Sequence, residues 1–288
     1  MFIAPNAATY ATRVPYITPT EFKAHPTGVD TKNLVPGGDA AQNDQALLQI
    51  IRKASGYADS LAEKILAATL DTQSGKYTLQ RDGTVLIPLD FSPIVAIASV
   101  TAGLQAGSQI ALVEGPDWDL DGRILTVPTS LRCGDYRGKI HATVKYVNGW
   151  ANAVLTAPAN IGTSSLTVSN GLGLVPGLSL SLSGGRVSEF VVIANSYVPS
   201  VTLGPVTVPL AAPLGFGYVA GDVFTAIPQA VKLAVIFLTA GIIKARGSGG
   251  LVMASTKGGP EQEASFHDVS GADLAIAVDA LAQYRRTI

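Results

Sequence analysis

The chain has 288 residues, which is long enough for one large domain or two smaller ones and for a sizeable apolar core. Hydrophobic residues make up 47% and charged residues 14% of the sequence, with 30 glycines and 17 prolines, and the mean hydropathy is +0.32. This composition excludes charge-driven disorder and indicates a β-rich protein with an unusually apolar surface. The formal net charge of −1 excludes a global basic field for binding nucleic acid and leaves room only for a local basic patch.

Two helices are predicted near the start of the chain. Thr18 is placed to cap the first, with Pro19 at the first helical position and Glu21 completing a capping box. Asp39 is placed to cap a long second helix, whose polar face we expect to be solvated. The apolar residues of this second helix recur at steps of three and four: Leu47, Ile50, Ile51, Ala54, Ala58, Leu61, Ile65 and Leu66. Its polar face carries Gln45, Gln49, Arg52, Lys53, Asp59, Glu63 and Lys64.

From residue 77 to residue 150 the hydrophobic period changes to two, which predicts an antiparallel sheet. Turn dipeptides such as Asp82-Gly83 and Asp121-Gly122 separate short β-branched runs. The predicted strands are residues 77–79, 84–87, 94–100, 110–113, 124–127 and 139–147.

The segment from 156 to 226 has a different composition. Its only charged residues are Arg186, Glu189 and Asp222, and short alternating runs predict strands at 165–168, 178–182, 190–193 and 201–203. We therefore predict a small all-β domain, a barrel or a sandwich. A helical sequence pattern returns after this domain. Because a longer surface loop costs little entropy, we interpret the domain as an insertion into a loop of a helical host.

A third helix is predicted from Pro228 and ends near Arg246 in a glycine-rich run. Its apolar centre is too short to cross a membrane, which requires about 20 residues, so it predicts a buried helix. Residues 247–271 have the composition of a linker, and an amphipathic helix follows at 272–286. This last helix has two candidate destinations, its own core or a partner protein.

No catalytic, metal or cofactor site is predicted. His25, His141 and His267 are scattered without metal-ligand spacing, and the run Asp117–Gly122 resembles half of a calcium loop but has Pro128 where a glutamate ligand is required. We interpret that run as a hairpin turn. Cys133 has no candidate base nearby in sequence and is interpreted as a structural thiol. The chain also lacks a secretory signal at its start, so we expect synthesis in a cytoplasm.

The order of these pieces resembles the head-tail connector (adaptor) proteins of long-tailed double-stranded DNA bacteriophages. The resemblance lies in residues 16–24 (YITPTEFKA), 43–59 (NDQALLQIIRKASGYAD), 87–94 (IPLDFSPI), 144–150 (VKYVNGW) and 227–234 (IPQAVKLA). It covers about the first 150 residues and the segment after Ile227, and it departs from the family at 156–226, where a short connection is usual.

The resemblance implies an α+β fold in which residues 1–155 and 227–250 form a small helical bundle with a β-hairpin region. Residues 156–226 would be the inserted β-domain, and 251–288 a flexible linker with a C-terminal helix. Family members assemble as a ring, commonly a dodecamer, in the neck of the virion beneath the portal, and a head-closure, stopper or tail protein lies below. DNA passes through the ring, which contacts no membrane, and assembly takes place in the host cytoplasm. The family has no catalytic residue and needs no cofactor.

The C-terminal segment of the family commonly reaches the portal, and here that segment is the last helix. The candidate portal-interaction residues are Leu274, Ala277, Val278, Leu281, Tyr284, Arg285 and Arg286. Two alternatives stay open. The chain could be another neck ring component, such as a head-closure or tail-terminator protein. It could also be a host-surface, carbohydrate-binding protein that uses aromatics of the β-domain, for which Phe190, Tyr197, Phe216, Tyr218 and Phe224 are available.

Overall fold

The computed structural model describes residues 13–129, 138–185, 187–254 and 273–285. Over these residues the chain is α+β, with four helices and several antiparallel sheets. Its contacts divide it into two compact units. We call them the helical unit, which holds the described residues of Met1–Leu66, Ser183–Ser188 and Ala226–Arg285, and the β unit, which holds those of Ala67–Leu182 and Glu189–Thr225.

The first two helices begin at the predicted caps. Helix α1 (Pro19–Ala24) has a capping box in which the Thr18 hydroxyl accepts from the Glu21 N–H and the Glu21 carboxylate accepts from the Thr18 N–H. Helix α2 (Ala40–Ala62) has the same arrangement between Asp39 and Gln42. Both predicted helix starts are confirmed. They could be predicted from the sequence because capping signals are local. The apolar stripe of α2 is also confirmed, since Leu47, Ile50, Ile51, Ala54 and Ala58 are buried.

The later helices are α3 (Gln229–Ala254) and α4 (residues 273–282). The predicted end of α3 near Arg246 is wrong, and so is the start of the linker at 247, because glycine weakens a helix without stopping it and no proline occurs between Pro228 and Pro260. The remainder of the predicted linker, 255–271, lies outside the described residues. None of the helices in the described ranges is long and apolar enough to span a bilayer.

The first part of the β unit contains two sheets. Their strands run in the orders β1-β7-β3-β4 and β2-β6-β5, and neighbouring strands in both sheets pair antiparallel, as predicted. The first strand starts earlier than predicted, because Asp71 and Gln73 obscure its alternation. The strands are β1 (Thr69–Thr78), β2 (Thr84–Pro88), β3 (Ile94–Gly103), β4 (Ile110–Leu112), β5 (Asp119–Asp121), β6 (Ile124–Pro128) and β7 (Lys139–Asn148).

One apolar cluster packs between these strands. Alternate residues of β7 point into it, and the polar residues between them point away, as the period of two requires. Its largest members include Trp118, Leu125 and Tyr146. The Tyr146 hydroxyl also accepts from the Phe91 N–H at 3.3 Å, and burial raises the pKa of this tyrosine to about 12.

The rest of the β unit also consists of short strands, in the orders β11-β10-β13-β8 and β12-β9. The predicted strand at 201–203 is wrong, because these residues form no strand and the partner of β9 is β12, three residues later. The strands are β8 (Asn152–Val154), β9 (Ser165–Val168), β10 (Ser179–Ser183), β11 (Ser188–Val192), β12 (Val206–Pro209) and β13 (Val223–Thr225).

The strands at which the chain enters and leaves this second part of the β unit, β8 and β13, are neighbours. Strand β8 lies before the predicted start of the β-domain at 156, and it pairs antiparallel with β13, with Val154 opposite Val223 and Asn152 opposite Thr225. The division into compact units groups residues 67–155 with the following β segment, whereas the sequence-based boundaries grouped them with the helices.

Candidate functional site

The C-terminal helix α4 is partly docked on its own unit. Ala277 and Leu281 are fully buried, and the Lys244 ammonium of α3 bonds the Asp273 carboxylate at 2.7 Å. These contacts use the centre of the apolar stripe that was predicted from the sequence. Of the two destinations that the sequence left open, the structure therefore shows docking on the chain's own helices.

The other candidate portal-interaction residues lie around that buried centre. Leu274 is 40% exposed, Val278 and Tyr284 are half-buried, and Arg285 is exposed. Arg286 lies outside the described residues. Ile276, which was not among the predicted residues, lies away from the stripe and is 44% exposed. Its apolar character at a polar position of the helix is the signal that could have identified it.

A buried carboxylate holds the end of α2. Asp59 is 1% exposed, and its side chain accepts hydrogen bonds from the Tyr16 hydroxyl at 2.5 Å and the Leu66 N–H at 2.9 Å. The Arg13 guanidinium lies 3.3 Å away. Burial nevertheless dominates and raises the pKa of Asp59 to about 6.

The expectation that the whole polar face of α2 is solvated is therefore wrong for Asp59. It is also wrong for Lys64, which lies just beyond the helix and is buried. This burial lowers the pKa of Lys64. Both residues were placed on the polar face by helical periodicity. Two partners of Asp59, Arg13 and Tyr16, are distant in sequence, so periodicity within α2 gave no sign of its burial.

A second buried charge joins α1 to α3. The Lys232 ammonium, whose side chain is 6% exposed, bonds the Glu21 carboxylate at 2.7 Å. The pair lines a cleft of about 290 Å³ together with His25, Gln229 and Ile236. Because the cation is already neutralised by Glu21, this cleft presents no free charge to a ligand, and we assign it a structural role.

The five aromatic residues available for carbohydrate binding separate into two groups. Tyr197, Tyr218 and Phe224 are buried in the β unit, whereas Phe190 is 76% and Phe216 is 46% exposed. The Gly215 N–H donates to the Glu189 carboxylate at 3.0 Å, so the residues that directly precede the two exposed rings are bonded to each other. Burial and the nearby Glu189 raise the pKa of Tyr218.

The described residues contain no cluster of metal-ligating side chains. The hairpin interpretation of the Asp117–Gly122 run is confirmed, since Asp121 pairs with Ile124 and Asp117 accepts from the Val113 N–H at 2.8 Å. His25 contacts the Phe237 ring edge-on, and His141 lies on β7. His267 and Cys133 lie outside the described residues.

No family model, curated protein or solved structure matches this chain.

Proposed function

We propose that this chain is the subunit of a head-tail adaptor ring in the neck of a tailed bacteriophage, a structural virion protein without a catalytic role. The ring, commonly a dodecamer in this family, binds the portal on one side and a head-closure or tail protein on the other. DNA passes through its centre. The positions of α1, α2 and α3 support this proposal, because a helix forms at each of the resembling segments 16–24, 43–59 and 227–234 and all three belong to one unit.

The observation that carries the proposal furthest is the partial docking of α4. A short terminal helix that buries only small parts of its surface, and that exposes Leu274 and Ile276, has apolar area for a partner to cover. Its attachment includes one ion pair, Lys244–Asp273, whose two side chains are partly exposed. Portal binding through this segment is what the resemblance implies for the C-terminus.

Exposed apolar side chains elsewhere are consistent with ring assembly. In the β unit, Leu104, Ile110 and Val113 are exposed around strand β4. Contacts within a closed ring are heterologous, so two different faces of each subunit must complement each other. Apolar residues that are open to solvent in one chain are covered in such an assembly.

Residues 156–226 are proposed to be an inserted β-domain within a small helical bundle that carries a β-hairpin region. The pairing of β8 with β13 supports an insertion, because it brings the two ends of the segment together. A chain in which a short Gly-Ser linker replaces 152–225 should keep the helical circular dichroism of the helices. Loss of that signal beyond the share of the removed residues would argue against an insertion.

Binding to purified portal rings tests the main proposal. Leu274→Asp with Ile276→Asp should abolish co-sedimentation with portals, as should truncation after Gly271. The matched control is Ala275→Asp with Ala282→Asp, which adds the same charge at two exposed alanines of the same helix. Full binding by both the truncated chain and the Leu274/Ile276 variant would remove α4 from the interface.

The exposed rings of Phe190 and Phe216 favour one second candidate, carbohydrate binding at a host surface, because sugars stack on exposed aromatic rings. A glycan array with the wild-type chain and with Phe190→Ala/Phe216→Ala tests it. Selective binding that both substitutions abolish would support this function. An empty array would leave the adaptor proposal without this competitor.

A further inference from the structure

One face of the β1-β7-β3 sheet is lined by basic and hydroxyl side chains. The register places Lys76 opposite His141, Thr72 opposite Lys145, and Thr78 opposite Lys139. Paired residues of neighbouring strands project to the same side, so all of these side chains share one face. The three lysines are exposed, and the opposite face of the same strands packs into the apolar cluster. We call the exposed side the basic sheet face.

No carboxylate neutralises this face from within its own sheet. Among the described residues of β1, β3, β4 and β7, the single acidic residue is Asp71, which is paired with Tyr146 and so points to the other side. There Asp71 accepts from the Asn148 amide at 2.6 Å and the Thr69 hydroxyl at 2.7 Å. Lys76, Lys139 and Lys145 have no ion-pair partner in the described part of the chain. A chain with a net charge of −1 thus places three lysines without an acidic partner on one face of a sheet.

The dimensions of the basic sheet face match a nucleic-acid backbone. From Lys139 to Lys145 along β7 the strand rises roughly 20 Å at about 3.4 Å per residue. A duplex presents one phosphate per about 3.4 Å of each strand, so this length spans several phosphates. Between the lysines, Ser74 and Thr143 bond to each other through their hydroxyls at 2.9 Å. Lysines and hydroxyls are typical donors to phosphate oxygens.

We propose that the basic sheet face binds the phosphate backbone of duplex DNA without reading its sequence. Base stacking is not part of this contact, because the two tyrosines of these strands, Tyr77 and Tyr146, point to the apolar cluster. The proposal goes beyond the adaptor function, in which DNA only passes through the ring, and it does not depend on that function. It gives the chain a weak, salt-dependent attachment to DNA at a defined surface.

Fluorescence anisotropy with a labelled duplex of random sequence tests the proposal on the full chain. The logarithm of the association constant should fall linearly with the logarithm of the salt concentration between about 50 and 200 mM. Each phosphate contact contributes about −0.9 to the slope, so three lysines should give a slope near −3. Lys76→Gln/Lys139→Gln/Lys145→Gln should weaken binding at least tenfold at the lowest salt and flatten the slope. All three side chains are exposed, so the variant should keep the wild-type melting temperature.

The matched control is Lys23→Gln/Lys32→Gln/Lys53→Gln, which removes the same charge from exposed positions of the helical unit. This variant should bind within twofold of wild type. Equal losses in both triple variants would overturn the proposal, because bulk charge would then explain the binding. So would absence of salt-dependent binding by the wild type, or tighter binding to vesicles of anionic lipid that the Lys76/Lys139/Lys145 variant abolishes. A single-stranded oligonucleotide of the same length should bind no more tightly than the duplex.

Discussion

Different interactions stabilise the interiors of the two compact units. In the helical unit, ion pairs join elements that are distant in sequence, and Asp59 and Lys232 place charges in the interior. In the β unit, the strands enclose a continuous apolar cluster that includes Leu125 and Val144. A buried charge makes stability depend on protonation, whereas an apolar cluster makes it depend on packed volume. The helical unit should therefore respond to pH and the β unit to changes of side-chain size.

The largest effect should follow from removing volume in the apolar cluster. Leu125 is fully buried, and Leu125→Ala should lower the free energy of unfolding of the β unit by about 3 kcal/mol at any pH between 5 and 8. Both tryptophans, Trp118 and Trp150, lie in the β unit, so urea unfolding followed by tryptophan fluorescence reports it. The control Leu86→Ala, at an exposed position of β2, should cost less than about 0.5 kcal/mol. Equal losses would contradict the assignment of the cluster.

A second test adds a side chain at a glycine that other residues of the β unit approach closely. Gly173 and Gly162 both have φ +84°, but a Cβ at Gly173 would lie 2.7 Å from the Ala151 nitrogen, whereas a Cβ at Gly162 meets nothing within 4 Å. Gly173→Ala should cost about 3 kcal/mol, from strain and overlap together. Gly162→Ala should cost about 1 kcal/mol from strain alone. Thermal unfolding of the two variants measures the difference, and equal melting temperatures would show that the contact relaxes freely.

Protonation of Asp59 should set the pH response of the helical unit. Its pKa in the folded chain, about 6, lies above the ordinary value of 3.8, so the folded state binds the proton more tightly than the unfolded state. The stability that this group contributes is present in full below pH 3.8 and is lost as pH rises through 6. Relative to Asp59→Asn, the wild type should lose roughly 3 kcal/mol over this window. Far-UV circular dichroism during urea unfolding measures the free energy of unfolding of both chains. If the difference between the two free energies is constant with pH, protonation of Asp59 does not set the pH response.

The smallest effect should come from the ion pair of α4. Asp273→Asn removes the partner of Lys244, which should cost about 1 kcal/mol and raise hydrogen exchange in residues 273–282 roughly fivefold. Asp279→Asn, on an exposed position of the same helix, is the control and should leave exchange unchanged. If the two variants exchange alike, the ion pair does not hold the helix.

The elements that were predicted correctly carry local signals. Capping boxes at Thr18 and Asp39 fixed the starts of α1 and α2, and alternation identified most strands of the β unit. Strands β8, β12 and β13 were missed. They have only three or four residues each, and β8 and β13 depend on each other for their pairing. The end of α3 was missed because glycine only lowers helix propensity.

The candidate site was predicted only in outline. Periodicity identified the stripe on α4 but could not show that Ala277 and Leu281 pack on the chain itself. The basic sheet face escaped detection because Lys76 and Lys145 are far apart in sequence and meet only through the register of β1 and β7. Pairing of distant strands is set by the whole sheet, so no local pattern reveals which charges share a face.

The proposed adaptor function requires this chain to form a ring on the portal of a tailed phage. Electron microscopy of the purified chain, alone and mixed with portal rings of the same phage, tests it most directly. We expect an added ring of density beneath the portal, which disappears when the chain is truncated after Gly271. Unaltered portal particles beside free monomers, at concentrations that saturate the mixture, would contradict it.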